Sequence, residues 1–156
     1  VIGSRGSVVP LFQKLIKEKA TELPITDFRM TRFWITLDQG INFVLSCLKI
    51  MQGGEIFIPK IPSMKITDLA HSMAPGLSHR EIGIRAGEKL HELMISEDDA
   101  RNSFEFTDRY AILTPFLNPE KSIYERRGGE LVQSGFSYAS ETNAEWLTPE
   151  DFKKLI

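Results

Sequence analysis

One cysteine, Cys47, stands in 156 residues, so no disulfide can form within the chain. It falls in an apolar helical run and reads as a small core residue. No apolar run approaches the roughly 20 residues of a membrane span, and the start lacks the basic residues and apolar core of a secretory signal. An excess of either charge is also missing: 19 basic and 21 acidic side chains leave a net charge of -2. That balance gives no broad positive field for nucleic acid and no basic amphipathic helix for a membrane surface. Metal-ligand spacing is absent among His71, His79 and His91. His91-Glu92 begins like H-E-x-x-H, but Ile95 stands where the second imidazole must be. Glu97-Asp98-Asp99 reads as a charged turn or helix start. Gly6-Ser7-Val8-Val9 lacks the second glycine of a nucleophile elbow. No G-x-G-x-x-G opens a βα unit, so there is no complete cradle for dinucleotide phosphates.

What remains is a 42% hydrophobic chain suited to one domain or subdomain. Apolar residues at 8, 9, 11, 12, 15 and 16 predict a one-faced helix over Val8 to Lys19. Thr31 to Ile35 reads as a strand, with Thr36 and Gln39 as a capping box for the next helix. That helix aligns Leu37, Ile41, Val44, Leu45 and Leu48 on one stripe, an apolar face expected to lack part of its cover in this chain, and ends at Gly53-Gly54. Glu55 to Ile58 is a short strand. Ser63 or Thr67 caps a short helix that stops before Pro75, and Arg80 to Ile84 is a strand. Phe104 to Phe106 and Tyr110 to Leu113 follow as short strands, and Thr148-Pro149-Glu150-Asp151 starts a last helix. Phe33 and Trp34 read as core. The alternation argues for an α/β class.

Chemistry concentrates at Gly83-Ile84-Arg85-Ala86-Gly87-Glu88-Lys89-Leu90-His91-Glu92. A guanidinium and a carboxylate flank a glycine where a strand hands over to a helix. The planar guanidinium suits a diphosphate, because its fork donates paired hydrogen bonds and keeps its charge. The carboxylate suits a ribose diol, because it only accepts. The plain alternative is a solvated loop with an ordinary ion pair.

The opening Val1-Ile2-Gly3-Ser4-Arg5-Gly6-Ser7-Val8-Val9-Pro10 reads as the end of a buried strand, a glycine-serine loop, and a helix with proline in its first turn. It resembles the loop after the sixth sheet strand in the inverting UDP-N-acetylglucosamine 4,6-dehydratases. These are extended short-chain dehydrogenases of the polysaccharide biosynthesis protein family. Further segments match in order: Pro24-Ile25-Thr26-Asp27, then Met30-Thr31-Arg32-Phe33-Trp34-Ile35-Thr36, then Gly54-Glu55-Ile56-Phe57-Ile58-Pro59-Lys60, then Arg85 to Glu92. The tail Tyr138-Ala139-Ser140-Glu141-Thr142-Asn143-Ala144-Glu145-Trp146-Leu147 is familial as well.

The resemblance implies an α/β fold, the C-terminal portion of an extended short-chain dehydrogenase with an NAD(P)-binding Rossmann-like sheet, mainly its substrate-binding subdomain. On that expectation residues 1–156 form a nucleotide-sugar-binding portion, and the N-terminal Rossmann cofactor-binding part is absent from this chain. Val1, Ile2, Gly3, Ser4 and Arg5 match the segment beside the nicotinamide half of NADP or NAD. Val8 and Thr26 match positions touching the sugar nucleotide, and Arg85 and Glu88 match the pair gripping diphosphate and ribose. Loop packing for Val8, a turn hydroxyl for Thr26 and a surface ion pair for Arg85 and Glu88 are their plain alternatives. The family's Tyr-x-x-x-Lys pair is absent, because Tyr110, Tyr124 and Tyr138 each lack a lysine four residues on. No catalytic residue and no metal ligand is therefore assigned here. Two departures stand out. Ala86 replaces a usual proline, which loosens the Arg85 to Glu88 turn, and Lys19-Ala20-Thr21-Glu22 lies where glycine is common.

The implied reaction of a full-length enzyme removes hydride from C4 of a UDP-sugar onto NADP or NAD, loses water across C5 and C6, returns hydride to C6 and inverts C5. Surface-polysaccharide or flagellin-glycan (pseudaminic acid) synthesis is the implied setting. The other readings are a UDP-sugar epimerase, a retaining dehydratase, or a truncated non-catalytic nucleotide-sugar module. A UDP-sugar substrate, no nucleic acid, no membrane, a homo-oligomer when full length and a cytoplasmic location complete the expectation.

Overall fold

A computed structural model describes residues 1–114 and 120–156. In chain order the helices are α1 (Val8–Lys17), α2 (Leu37–Ile50), α3 (Ile66–Met73), α4 (Glu97–Ala100), α5 (Lys121–Arg126) and α6 (Pro149–Lys153). The strands are β1 (Glu22–Ile25), β2 (Thr31–Phe33), β3 (Glu55–Pro59), β4 (Ser63–Lys65), β5 (Ser78–Glu81), β6 (Leu93–Ile95), β7 (Ser103–Glu105), β8 (Arg109–Leu113), β9 (Glu130–Leu131) and β10 (Tyr138–Ala139). They gather into two compact units. Among the described residues no helix is long and apolar enough to cross a membrane.

The first unit comprises Val1–Leu37, Ile61–Glu92 and Ser140–Ile156. β1 runs parallel to β5 with Ile25 opposite Glu81, and β2 runs antiparallel to β4 with Thr31 opposite Lys65. Helix α1 buries Val9 and Phe12, as its periodicity predicts. These two residues join Leu23, Ile25, Met64, Leu69 and Phe152 in one core. Trp34 meets Phe152 edge-on at 5.4 Å between ring centres. Phe152 is carried by α6, whose start is held by the Thr148 side chain accepting the Asp151 N–H.

Helix α1 ends two residues before the expected Lys19, and Lys19 itself takes φ 59°. The Lys19 N–H bonds to Ile16 O and the Ala20 N–H to Leu15 O, both at 3.0 Å. This is a Schellman closure, whose left-handed residue is ordinarily glycine. The strand expected at Arg80 to Ile84 lies earlier, because its partner β1 ends at Ile25 and the ladder ends with it. Helix α3 is capped neither by Ser63 nor by Thr67: Lys65 occupies the N-cap without a side-chain bond, and Ser63 belongs to β4.

The second unit comprises Asp38–Lys60 and Leu93–Ala139. Four antiparallel strands stand in the order β3-β8-β7-β9, and β6 pairs with β10. Phe104, Leu113 and Tyr124 make its core, with Phe106 and Ile123 against them. Helix α2 leaves its apolar stripe uncovered, as expected. Leu37, Ile41, Val44, Leu45 and Leu48 are all exposed. The half-buried face carries Phe43, Ser46, Cys47 and Ile50. Arg109, itself buried, organises that face. It donates to Cys47 Sγ at 3.1 Å and to Ser46 Oγ at 2.8 Å, and its guanidinium lies 5.0 Å from the centre of the Phe43 ring. Burial pushes the Cys47 thiol upward. Cys47 is therefore a polar contact as much as a packing residue.

Candidate nucleotide site

The first unit contains a cavity of about 570 Å³. The start of α1 supplies Ser7, Val8 and Leu11 to its wall, and the end of β1 supplies Pro24, Ile25 and Thr26. Met30, Arg32, Phe33 and Trp34 line it from the β2 region, and Ile82, Arg85 and Glu88 from the segment after β5. The structure thus brings Val8, Thr26, Arg85 and Glu88 to one cavity, although 77 positions separate Val8 from Arg85 in the chain (85 minus 8). Of the five residues matched to a cofactor, Val1 and Ser4 line the same cavity, whereas Ile2, Gly3 and Arg5 do not.

Each wall has a local reason. Thr26 stands just past β1, where Asp27 closes a tight turn. Asp27 Oδ1 accepts from the Arg29 N–H at 2.8 Å, and the Arg29 guanidinium grips both carboxylate oxygens at 3.0 and 2.7 Å. These bonds hold the Asp27 carboxyl down at about 2, with the Arg29 side chain the largest cause. The Met30 N–H donates to Asp27 O at 3.1 Å, and the chain turns into β2. Thr26 is therefore fixed at the end of a strand and the start of a locked turn.

Arg85 and Glu88 sit on an arch between two feet. At one foot the Ile82 N–H donates to Ile25 O at 2.9 Å. At the other, the Thr31 N–H donates to Leu90 O at 3.3 Å. The Glu88 N–H closes on Arg85 O at 3.0 Å, with Gly83 and Gly87 at φ 87° and 81°. No ion pair joins Arg85 to Glu88, and among the described residues the Arg85 guanidinium has no partner. An exposed fork with no partner among the described residues, at the rim of a cavity, can donate paired hydrogen bonds to an anion.

Two buried polar atoms mark the same cavity. Among the described residues only Ser7 Oγ, Trp34 Nε1 and His79 Nε2 are buried without a hydrogen-bond partner. Ser7 and Trp34 both line the cavity. Leaving such groups unpaired costs about 1–3 kcal/mol each, so both favour a polar partner, water included, inside the cavity. Sequence reasoning placed Trp34 in the core, where it is indeed buried, but gave it no polar task. Its donor-only indole N–H was the available signal. Ser7, half-buried at the N-cap of α1, makes no capping bond.

The Val1–Arg5 segment is a tight loop. The Ser4 N–H folds back on Val1 O at 3.2 Å, and the Ile2 N–H donates to Ile35 O at 2.9 Å. Gly3 and Gly6 take φ 73° and 78°, and nothing lies within 4 Å of where a Cβ would stand on either. The backbone is bare and approachable there. Among the described residues no cluster of three metal-binding side chains occurs.

A mixed α/β chain with this glycine-serine turn and arginine arch has the extended short-chain dehydrogenase type of fold. It belongs to the polysaccharide biosynthesis protein family, whose model matches residues 1–114. It is 56% identical over 163 residues to UDP-N-acetylglucosamine 4,6-dehydratase (inverting) from Campylobacter jejuni, covering 100% of this chain and 48% of that protein. UDP-glucose 4-epimerase of Rickettsia canadensis is 33% identical over 160 residues, covering 100% of this chain and 46% of that one. The solved structure of Pen from Bacillus thuringiensis superposes with a TM-score of 0.81 at 33% identity, covering 100% of this chain and 47% of that chain. The chain thus spans about half the length of the relatives it matches.

Proposed function

We propose that this chain is the nucleotide-sugar grip of a UDP-N-acetylglucosamine 4,6-dehydratase of the inverting kind, acting in the synthesis of surface polysaccharide or of a flagellin glycan such as pseudaminic acid. One observation carries the reading: the Arg85 guanidinium, without a partner among the described residues, shares a cavity with Val8, Thr26 and Glu88. In this reading Arg85 holds the diphosphate and Glu88 accepts from the ribose hydroxyls. Thr26, at the end of β1, faces the base with backbone and hydroxyl. Val8 and the neighbouring apolar wall exclude water from the handle. Binding energy from that handle orients the sugar for reaction and so raises the chemical rate.

Residues Val1–Arg5 would hold part of NADP or NAD, which supplies hydride transfer when bound. No residue of this chain is given a proton-transfer role. The 56% identity to a dehydratase, against 33% to an epimerase, favours dehydration over epimerisation.

The test is calorimetric titration of UDP into the full-length protein that contains this chain, with NADP titrated in parallel. Arg85→Lys replaces a two-pronged contact with a point charge. Loss of a charge-assisted hydrogen bond is worth about 1.5–3 kcal/mol, so UDP affinity is expected to fall roughly ten- to a hundredfold. Glu88→Gln is expected to fall less, because the amide keeps one acceptor. NADP affinity should stay constant in both variants. Unchanged UDP affinity in Arg85→Lys, or a loss of NADP binding instead, defeats the assignment.

A further inference from the structure

The arch from Ile82 to Leu90 has little structure of its own, yet the reading above requires Arg85 and Glu88 to stand in fixed places. Its first foot is a single backbone bond to Ile25. The second foot is built quite differently. Thr31 Oγ1 lies 2.7 Å from His91 Nδ1 and 2.6 Å from Ser140 Oγ. Ser140 Oγ also accepts the Glu92 N–H at 2.9 Å, and the Ser140 N–H donates to Glu92 O at 2.8 Å. Thr31 is 2% exposed and Ser140 0%. Arg32 adds its guanidinium from the next position, donating to Leu90 O at 3.0 Å and Lys89 O at 2.7 Å, with Glu92 at 3.4 Å.

Every member of the chain of hydroxyls has a partner. Glu92 N–H fills a lone pair of Ser140, the Ser140 hydroxyl reaches Thr31 Oγ1 and also the Thr31 carbonyl at 3.2 Å, and Thr31 Oγ1 lies against His91 Nδ1. Three distant segments, at 31, 91 and 140, are thereby joined at one buried point. Apolar packing would hold them together at less risk, since a buried hydroxyl without its partner is costly. Hydrogen bonds add what packing lacks, a direction and a single register for the chain leaving the arch.

We propose that the buried His91–Thr31–Ser140 hydrogen-bonded chain positions the nucleotide grip: it sets where Arg85 and Glu88 stand against the diphosphate and ribose, without touching the ligand. The proposal rests on the nucleotide-sugar reading of the cavity. Thr31, His91 and Ser140 are absent from the cavity wall. They act through the arch and are positioning residues.

The experiment is UDP titration into the full-length protein, with circular dichroism confirming a folded state at the titration temperature. Thr31→Val keeps the volume and removes the hydroxyl. It is expected to weaken UDP about three- to tenfold, the range of a lost neutral hydrogen bond. Thr31→Ser keeps the hydroxyl and should restore wild-type affinity. His91→Leu should behave like Thr31→Val, and His91→Asn, whose amide can take the place of Nδ1, like wild type. A merely structural role would not couple to Arg85. In the Arg85→Lys background, Thr31→Val should therefore cost clearly less affinity than it does alone. If Thr31→Val and His91→Leu leave UDP affinity intact while Arg85→Lys lowers it, the positioning role is wrong and the grip stands. The positioning role is also wrong if Thr31→Val costs the same in both backgrounds. If wild type ignores UDP, or Arg85→Lys is silent, the grip itself falls and the positioning role with it.

Discussion

Asp27 illustrates how one side chain shapes a binding wall it does not enter. It is 5% exposed, and its two oxygens take three bonds from Arg29. The ordinary aspartate value near 3.9 becomes about 2 in the folded chain, chiefly through the Arg29 side chain. A depressed value means that the folded state binds the carboxylate's proton less readily than the unfolded one. The stability it adds is complete above about pH 4, and it is lost as pH falls from about 4 towards 2. Urea midpoints measured across that window are expected to drop more steeply for wild type than for Asp27→Asn. Parallel curves would mean that the Arg29 pair contributes nothing.

Elements in this chain are set by their ends as much as by their faces. Helix α1 has a clear apolar stripe, of which Val9 and Phe12 are buried while Leu11 stays exposed. Its C-terminus is unusual because Lys19 holds the left-handed position of the Schellman closure at φ 59°. A residue with a Cβ is strained there by roughly 1 kcal/mol relative to glycine. Lys19→Gly is therefore expected to raise unfolding stability by about 0.5–1 kcal/mol, read from urea denaturation. Loss of stability would show that the Lys19 side chain outweighs its backbone strain. The first unit also shows short strands borrowing their limits from partners: β5 stops opposite the last residue of β1, and β2 spans only the three residues that β4 can pair.

At the scale of the whole molecule the most exposed feature is α2. Leu37, Ile41, Val44, Leu45, Leu48 and Met51 are between 47% and 64% exposed. An apolar patch of that kind favours association. The 156-residue chain by itself is accordingly expected to self-associate and to bind hydrophobic dyes. Leu45→Glu with Leu48→Glu should reduce both effects and leave the circular dichroism spectrum unchanged, because neither side chain packs inside the second unit. Dye fluorescence and sedimentation are the measurements. Undiminished dye binding in the double variant would locate the adhesive surface elsewhere.

The order of residues was enough to specify the α/β class, a helix from Val8 that runs two residues shorter than expected, and the strands over Glu55 to Ile58 and Tyr110 to Leu113; the expected passage from strand to helix at Arg85 to Glu92 is instead an arch without a helix. Each of these depends on near neighbours: a period, a cap, a proline or a glycine at positive φ. Val8, Thr26, Arg85 and Glu88 stood out because they lie within motifs that keep their order along the chain, and folding gathers them at one cavity. What covers the other face of α2 was not legible. Its leucine stripe is the more apolar, but Arg109, far away in sequence, binds the Ser46 and Cys47 side instead. Strands β1, β4, β6, β9 and β10 were missed because two to four residues carry too little periodicity, and their partners are remote. The unpaired Ser7 and Trp34 atoms and the meeting of Thr31, His91 and Ser140 belong to tertiary structure alone. A hydrogen bond between positions 109 residues apart leaves no local mark in a sequence. Folding brings the two side chains within 2.6 Å and removes the water that would otherwise serve them.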